Sequence, residues 1–172
     1  MESFQRAVEL GVDVIETDIH QTRDGHIVVS HDPTGKRAAG VDKAIQECSL
    51  EEVQSWDVGR YFQSDGGKCL HAGLGMRIPT LREAVESFPR VRFNIDIKQT
   101  RPNIVDDVIS LLRKAGAEER TTLASFDAAN MRRVRGLGFA GETALARNEV
   151  LAFIALPVAA FQALKIGGEA IQ

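Results

Sequence analysis

Val14-Ile15-Glu16-Thr17-Asp18-Ile19 is an apolar strand signal interrupted by two carboxylates. Side chains alternate faces along a strand, so Glu16 and Asp18 project together while Ile15, Thr17 and Ile19 take the other side. Phe93-Asn94-Ile95-Asp96-Ile97-Lys98 repeats the arrangement, with Asn94, Asp96 and Lys98 on one face and Phe93, Ile95 and Ile97 on the other. Ile27-Val28-Val29-Ser30-His31-Asp32 is a third apolar run that ends in a histidine. One solvated sheet face explains one such strand. It explains two poorly where helices cover the outer face of a sheet and the inner face is core. The polar face then lines a pocket.

Helical signals alternate with these strands. Phe4, Ala7 and Val8 with Gly11 as a stop predict a short helix before a strand over Val12–His20, and Thr22-Arg23-Asp24-Gly25 is a turn signal before a strand over His26–His31. Residues 33–79 read as an irregular insert, marked by Gly66-Gly67 and Gly73-Leu74-Gly75 and holding one short helix begun by the capping box Ser49-Leu50-Glu51-Glu52. A second capping box, Thr80-Leu81-Arg82-Glu83, starts a helix to about Phe88, and a strand follows over Val91–Lys98. Pro102 is placed in the first turn of the next helix, which carries Ile104, Val105, Val108, Ile109 and Leu112 and stops at Gly116. Thr121–Phe126 is a strand, Asp127 caps a helix bearing Met131, Val134 and Leu137, and Gly141–Ala146 and Glu169–Gln172 are further strand signals. The rhythm predicts a parallel α/β sheet or barrel with five or six strands.

Composition bounds the function. The 172 residues are 44% hydrophobic and 26% charged, with a net charge of −3, which excludes disorder as the main state and gives no electrostatic footprint for nucleic acid. Cys48 and Cys69 match no zinc or redox spacing and read as reduced thiols. Met1–Arg6 has no apolar run of a signal peptide, so a cytoplasmic or peripheral membrane location is expected. The longest uncharged run, Val150–Leu164, carries Pro157 and reads either as a buried helix broken at the proline or as a segment that dips into a membrane surface.

Three like charges at short range disfavour joint ionisation. A divalent cation together with Lys98 relieves Glu16, Asp18 and Asp96, and hard oxygen donors suit Mg²⁺ or Ca²⁺ better than zinc. With the site near neutral, a mono-anionic phosphodiester can bind through the metal and Lys98. The competing reading is a buried ion-pair network with no ligand. His31 is the candidate acid/base, because imidazole titrates near neutral pH.

These residues resemble the glycerophosphodiester phosphodiesterase family. The stretch from Gly11-Val12-Asp13-Val14-Ile15-Glu16-Thr17-Asp18 through Val28-Val29-Ser30-His31-Asp32, then Ile78-Pro79-Thr80-Leu81-Arg82-Glu83-Ala84, Asn94-Ile95-Asp96-Ile97-Lys98 and Ser125-Phe126, is similar to that family's landmarks in order. The resemblance implies a TIM-type (β/α)₈ barrel with its site at the C-terminal ends of the strands. It implies metal ligands at Glu16, Asp18 and Asp96, a catalytic role for His31 and phosphate binding by Lys98. Many family members carry Glu where this chain has Asp96. Asn94–Lys98, Ser30–Val41 with Lys36-Arg37-Ala38-Ala39-Gly40, and the apolar stretch after Val150 resemble the membrane-associated lysophospholipase D branch. The implied products are a phosphomonoester (glycerol 3-phosphate or lysophosphatidic acid) and an alcohol.

The family's leading His-Arg-Gly strand and its last strands have no counterpart here, and a complete barrel typically needs about 250 residues. The expectation is a barrel incomplete at both ends, one partial domain over 1–172, with weak activity or none because the family's first catalytic histidine is missing; His20, His26 and His71 are not nominated. Two rival functions remain at this point: a sphingomyelinase D-like phospholipase, and a non-catalytic metal-binding fragment. Gly136-Leu137-Gly138-Phe139-Ala140-Gly141 spells a dinucleotide fingerprint, but a helix precedes it and a strand follows, the reverse of that motif's context. Arg132, Arg133 and Arg135 read as a solvated helix face, and Trp56 as packing.

Overall fold

The computed structural model describes residues 1–63, 67–155 and 168. Helix α1 (Glu2–Glu9) leads into strand β1 (Val14–Gln21), and β2 (Ile27–Val29) follows. The insert carries α2 (Lys36–Ala39) and α3 (Leu50–Gln54). Beyond it come α4 (Leu81–Ser87), β3 (Arg92–Ile97), α5 (Val105–Lys114), β4 (Thr121–Ala124), α6 (Ala128–Gly136), β5 (Glu142–Thr143) and α7 (Arg147–Ala155). The strands form one sheet in the order β2-β1-β3-β4-β5. From β1 to β5 all pairings are parallel, as the alternation of strand and helix requires, and among the described residues the sheet does not close on itself.

Strand β2 departs from the parallel expectation. It runs antiparallel to β1, with Ile19 opposite Val29 and Gln21 opposite Ile27. The cause is the Thr22–Gly25 turn, which is too short for a crossover and closes a hairpin. Gly25 sits at φ +85°, where a side chain would be strained, and the Thr22 N–H donates to the His26 carbonyl at 2.9 Å. The Asp24 carboxylate then accepts from the Leu50 N–H, tying the turn to the start of α3.

The face carrying Ile15, Ile19, Phe93, Ile95, Ile97 and Leu123 is buried with Leu81, Val85, Val108, Ile109 and Leu112 of α4 and α5 in one apolar core. The described part of the insert is packed more closely than its composition suggests. Ala39, Ile45, Cys48, Val53, Trp56 and Ile78 build a second small core against Val28, so Trp56 does pack. Of the two capping boxes, Thr80–Glu83 is complete. Ser49 caps α3 by itself, because Glu52 pairs with Lys43 at 2.6 Å instead of reaching back.

Two other expectations are corrected. Pro102 lies outside α5, which starts at Val105 with the Asn103 side chain accepting from its N–H. Arg135 does not belong to a solvated face. It donates to both Glu149 oxygens (2.6 and 3.0 Å) and to the Ala144 carbonyl, so it clamps α6, β5 and α7 together. Arg133 remains at the surface, paired with Asp106. The strand signal at Glu169–Gln172 and residues 156–164 of the apolar run lie outside the described residues.

Candidate active site

Parallel pairing places Asp18 opposite Asp96 and Glu16 opposite Asn94 on β1 and β3. Direct partners on neighbouring strands share a face, so the four side chains form two polar layers on the side away from the helices. The upper layer lies at the C-terminal ends of the strands. There the Lys98 ammonium bridges the two aspartates, 2.6 Å from Asp96 Oδ2 and 3.0 Å from Asp18 Oδ1, and lies 5.4 Å from the centre of the exposed Phe126 ring. Burial pulls the lysine pKa down, but the two carboxylates outweigh it and leave it raised, so the side chain stays cationic.

Glu16 sits one layer lower. Desolvation, helped by repulsion from Asp18 and opposed by Lys98, raises its carboxyl above the usual range. Asp96 is buried, and its Oδ1 has no hydrogen-bond partner among the described residues. An orphaned buried carboxylate oxygen, a second carboxylate on the neighbouring strand and a third whose ionisation is held back would offer oxygen donors to a hard divalent cation if one bound here. In this structure Asp18 and Asp96 are gathered by Lys98. Among the described residues no three acidic, histidine or cysteine side chains are gathered at ligand distances.

His31 lies just beyond β2, with an exposed ring. Its Nδ1 is 2.8 Å from Asp32 Oδ1, and Asp32 Oδ2 accepts from Arg37 Nε of α2 at 2.5 Å. Arg37, and then His31, hold the Asp32 carboxyl below its usual range. An ionised Asp32 favours the tautomer with its proton on Nδ1, which makes Nε2 the nitrogen free for proton transfer. A cavity of about 680 Å³ is lined by Glu16, Asp18, His31, Asp32, Phe62 and His71 among others. A smaller one, about 230 Å³, opens on the other side of the bridge and is lined by Asp96, Lys98, Phe126, Leu145, Arg147 and Leu151 among others.

The five nominated residues, Glu16, Asp18, His31, Asp96 and Lys98, therefore border one region at the strand ends. Asp32 and Arg37 were missed as partners of His31; the adjacency His31-Asp32 and a basic residue entering the next helix were the available signals. His20 was set aside, yet the two-residue period that pairs Glu16 with Asp18 also puts it on that face. It is buried, its Nε2 lies 3.4 Å from the His31 carbonyl, and burial lowers its pKa, so it props the His31 backbone as a neutral ring. The strand ends are fixed by buried polar side chains: Ser125 Oγ donates to the Ile97 carbonyl at 2.8 Å, Asn130 donates to the Gln99 carbonyl, and Gln99 Oε1 accepts from the Gln21 N–H.

Comparisons with known proteins point to one family. The model of the glycerophosphoryl diester phosphodiesterase family matches residues 1–152. The chain is 37% identical over 121 residues to human lysophospholipase D GDPD1, covering 70% of this chain and 38% of that protein. It is also 37% identical over 138 residues to a glycerophosphodiester phosphodiesterase of Caldanaerobacter subterraneus, covering 77% of this chain and 54% of that one. The chain thus spans about half the length, or less, of these relatives. Among solved structures, the glycerophosphoryl diester phosphodiesterase domain of a Mycobacterium tuberculosis protein superposes with a TM-score of 0.77 at 20% identity, over 87% of this chain and 55% of that one. A glycerophosphodiester phosphodiesterase from Agrobacterium tumefaciens gives 0.70 at 23% identity, over 84% of this chain and 58% of that one. These establish the incomplete TIM-type barrel. The family match over 1–152 takes in all five nominated side chains, and the chain is a member of the glycerophosphoryl diester phosphodiesterase family.

Proposed function

We propose that this site hydrolyses a phosphodiester of glycerol, either a water-soluble glycerophosphodiester or a lysophospholipid. The carrying observation is the Asp18–Lys98–Asp96 bridge at the C-terminal ends of adjacent parallel strands, with Glu16 below it and His31 beside it. Glu16, Asp18 and Asp96 would hold Mg²⁺ or Ca²⁺, which when bound supplies charge stabilisation at the phosphoryl oxygens. Lys98 holds a non-bridging phosphate oxygen. Hydrolysis breaks the bond between phosphorus and the alcohol oxygen, places a water-derived hydroxyl on phosphorus and returns a proton to the alcohol. His31, with Nδ1 fixed on Asp32, carries that proton at Nε2.

Phe126, Leu145, Val150 and Leu151 give the cavity beside Lys98 an apolar wall, which supports a lysophospholipid, and the exposed Leu151 and Ile154 of α7 support contact with a lipid surface. No helix among the described residues is long and apolar enough to cross a membrane. The test is release of choline from glycerophosphocholine and from lysophosphatidylcholine, each with Mg²⁺, with Ca²⁺ and with EDTA. Metal-dependent release is expected, with the acylated substrate preferred. Release from neither substrate defeats the proposal.

A further inference from the structure

We propose that Arg147 is a second phosphate-binding residue of this site, facing the substrate across the smaller cavity from Lys98; the inference rests on the phosphodiesterase reading above. Lys98 is poorly placed to hold an anion by itself, because its ammonium already bridges Asp18 and Asp96 at 3.0 and 2.6 Å. Without a metal cation those three groups together are net negative, and the proposed divalent cation, with Glu16 as a further ligand, brings the site only to near neutral, so attraction of a phosphodiester calls for one more cation. Arg147 lines the same cavity as Asp96 and Lys98. It is exposed and, among the described residues, makes no hydrogen bond or ion pair.

Its position is nevertheless built. Glu149, two residues on, is held by both Arg135 nitrogens and accepts from the Ala146 N–H at 2.7 Å, which fixes the entry to α7 against β5. Arg147 is the first residue of that helix. A cation there faces the positive end of the helix dipole, so the helix itself gains nothing from an arginine at this point. A guanidinium in that place does suit a phosphate, which it can grip through two parallel hydrogen bonds. The apolar wall of Phe126, Leu145 and Leu151 lowers the local dielectric and strengthens that contact.

The experiment is calorimetric titration of glycerol 3-phosphate into the full chain at fixed Mg²⁺, for wild type, R147Q, R147K and the control R90Q. Arg90 is exposed and precedes the opposite end of β3, so R90Q removes the same charge far from the site. R147Q should weaken binding about tenfold, R147K about threefold, and R90Q not at all. With glycerophosphocholine, R147Q should raise KM about tenfold and change kcat far less. R147Q binding as tightly as wild type overturns the Arg147 assignment alone. Wild type binding no glycerol 3-phosphate overturns the site reading as well.

Discussion

Asp18 and Asp96 stand directly opposite one another on parallel strands β1 and β3, and one ammonium, that of Lys98, joins them. Removing either carboxylate leaves the lysine with one partner and the proposed cation with two ligands. Asp18→Asn should therefore weaken Mg²⁺ or Ca²⁺ binding at least about tenfold, the scale of losing one charged ligand. Equilibrium dialysis reads this without reference to turnover. Unchanged affinity in Asp18→Asn would favour an ion-pair network over a metal site.

His31 draws its orientation from Asp32, which Arg37 holds ionised. His31→Ala should lower kcat by about 10²–10⁴-fold, the usual worth of a positioned acid or base. Asp32→Asn keeps the shape but removes the charged acceptor that holds the Nδ1 proton, so it should lower kcat by less than His31→Ala does. An Asp32→Asn variant with the kcat of wild type contradicts the role given to this pair.

The Arg135–Glu149 pair is a stability element. Both side chains are mostly buried; burial pushes the glutamate pKa up, but Arg135 and the Ala146 N–H together outweigh it and leave it lowered. Breaking a buried pair by removing one partner costs about 3–5 kcal/mol, and partial exposure lowers the expectation here to about 2–3 kcal/mol. Urea denaturation of Glu149→Ala measures it.

Glu83 gives a pH signature. Arg77 at 2.6 Å, and then Thr80, lower its pKa to about 2 against the effect of burial. A depressed folded-state pKa contributes stability that is complete above the unfolded value of 4.5 and is lost as pH falls toward about 2. Both side chains are well exposed, so the contribution is about 1 kcal/mol rather than the full value of the shift. The melting temperatures of wild type and Glu83→Gln should differ most above pH 5 and converge near pH 2. A difference that persists at pH 2 rules out the ionised carboxylate as its source.

The strand period alone put Glu16 with Asp18 and Asp96 with Lys98, because alternation is a local property of the backbone. That Asp18 faces Asp96, and not Asn94, depends on how β1 and β3 slide against each other, which the packing of Ile15, Ile19, Phe93 and Ile97 sets and a single strand does not reveal. The Thr22–Gly25 turn was legible as a turn, but its consequence, an antiparallel β2, follows from loop length. Arg135 looked solvated beside Arg132 and Arg133 because its partner, Glu149, lies fourteen residues away on another helix. The order within 33–79 escaped for a similar reason: Trp56 and Ile45 meet Val28 only in the folded chain.

The central claim, that this layer of carboxylates and lysine breaks a phosphodiester, is tested most directly by ³¹P NMR of glycerophosphocholine incubated with the chain and Mg²⁺ or Ca²⁺. Conversion of the diester resonance to that of a phosphomonoester, abolished by EDTA and by Asp96→Asn, is the predicted result. A diester signal that never changes, or that disappears equally fast in Asp96→Asn, contradicts the account.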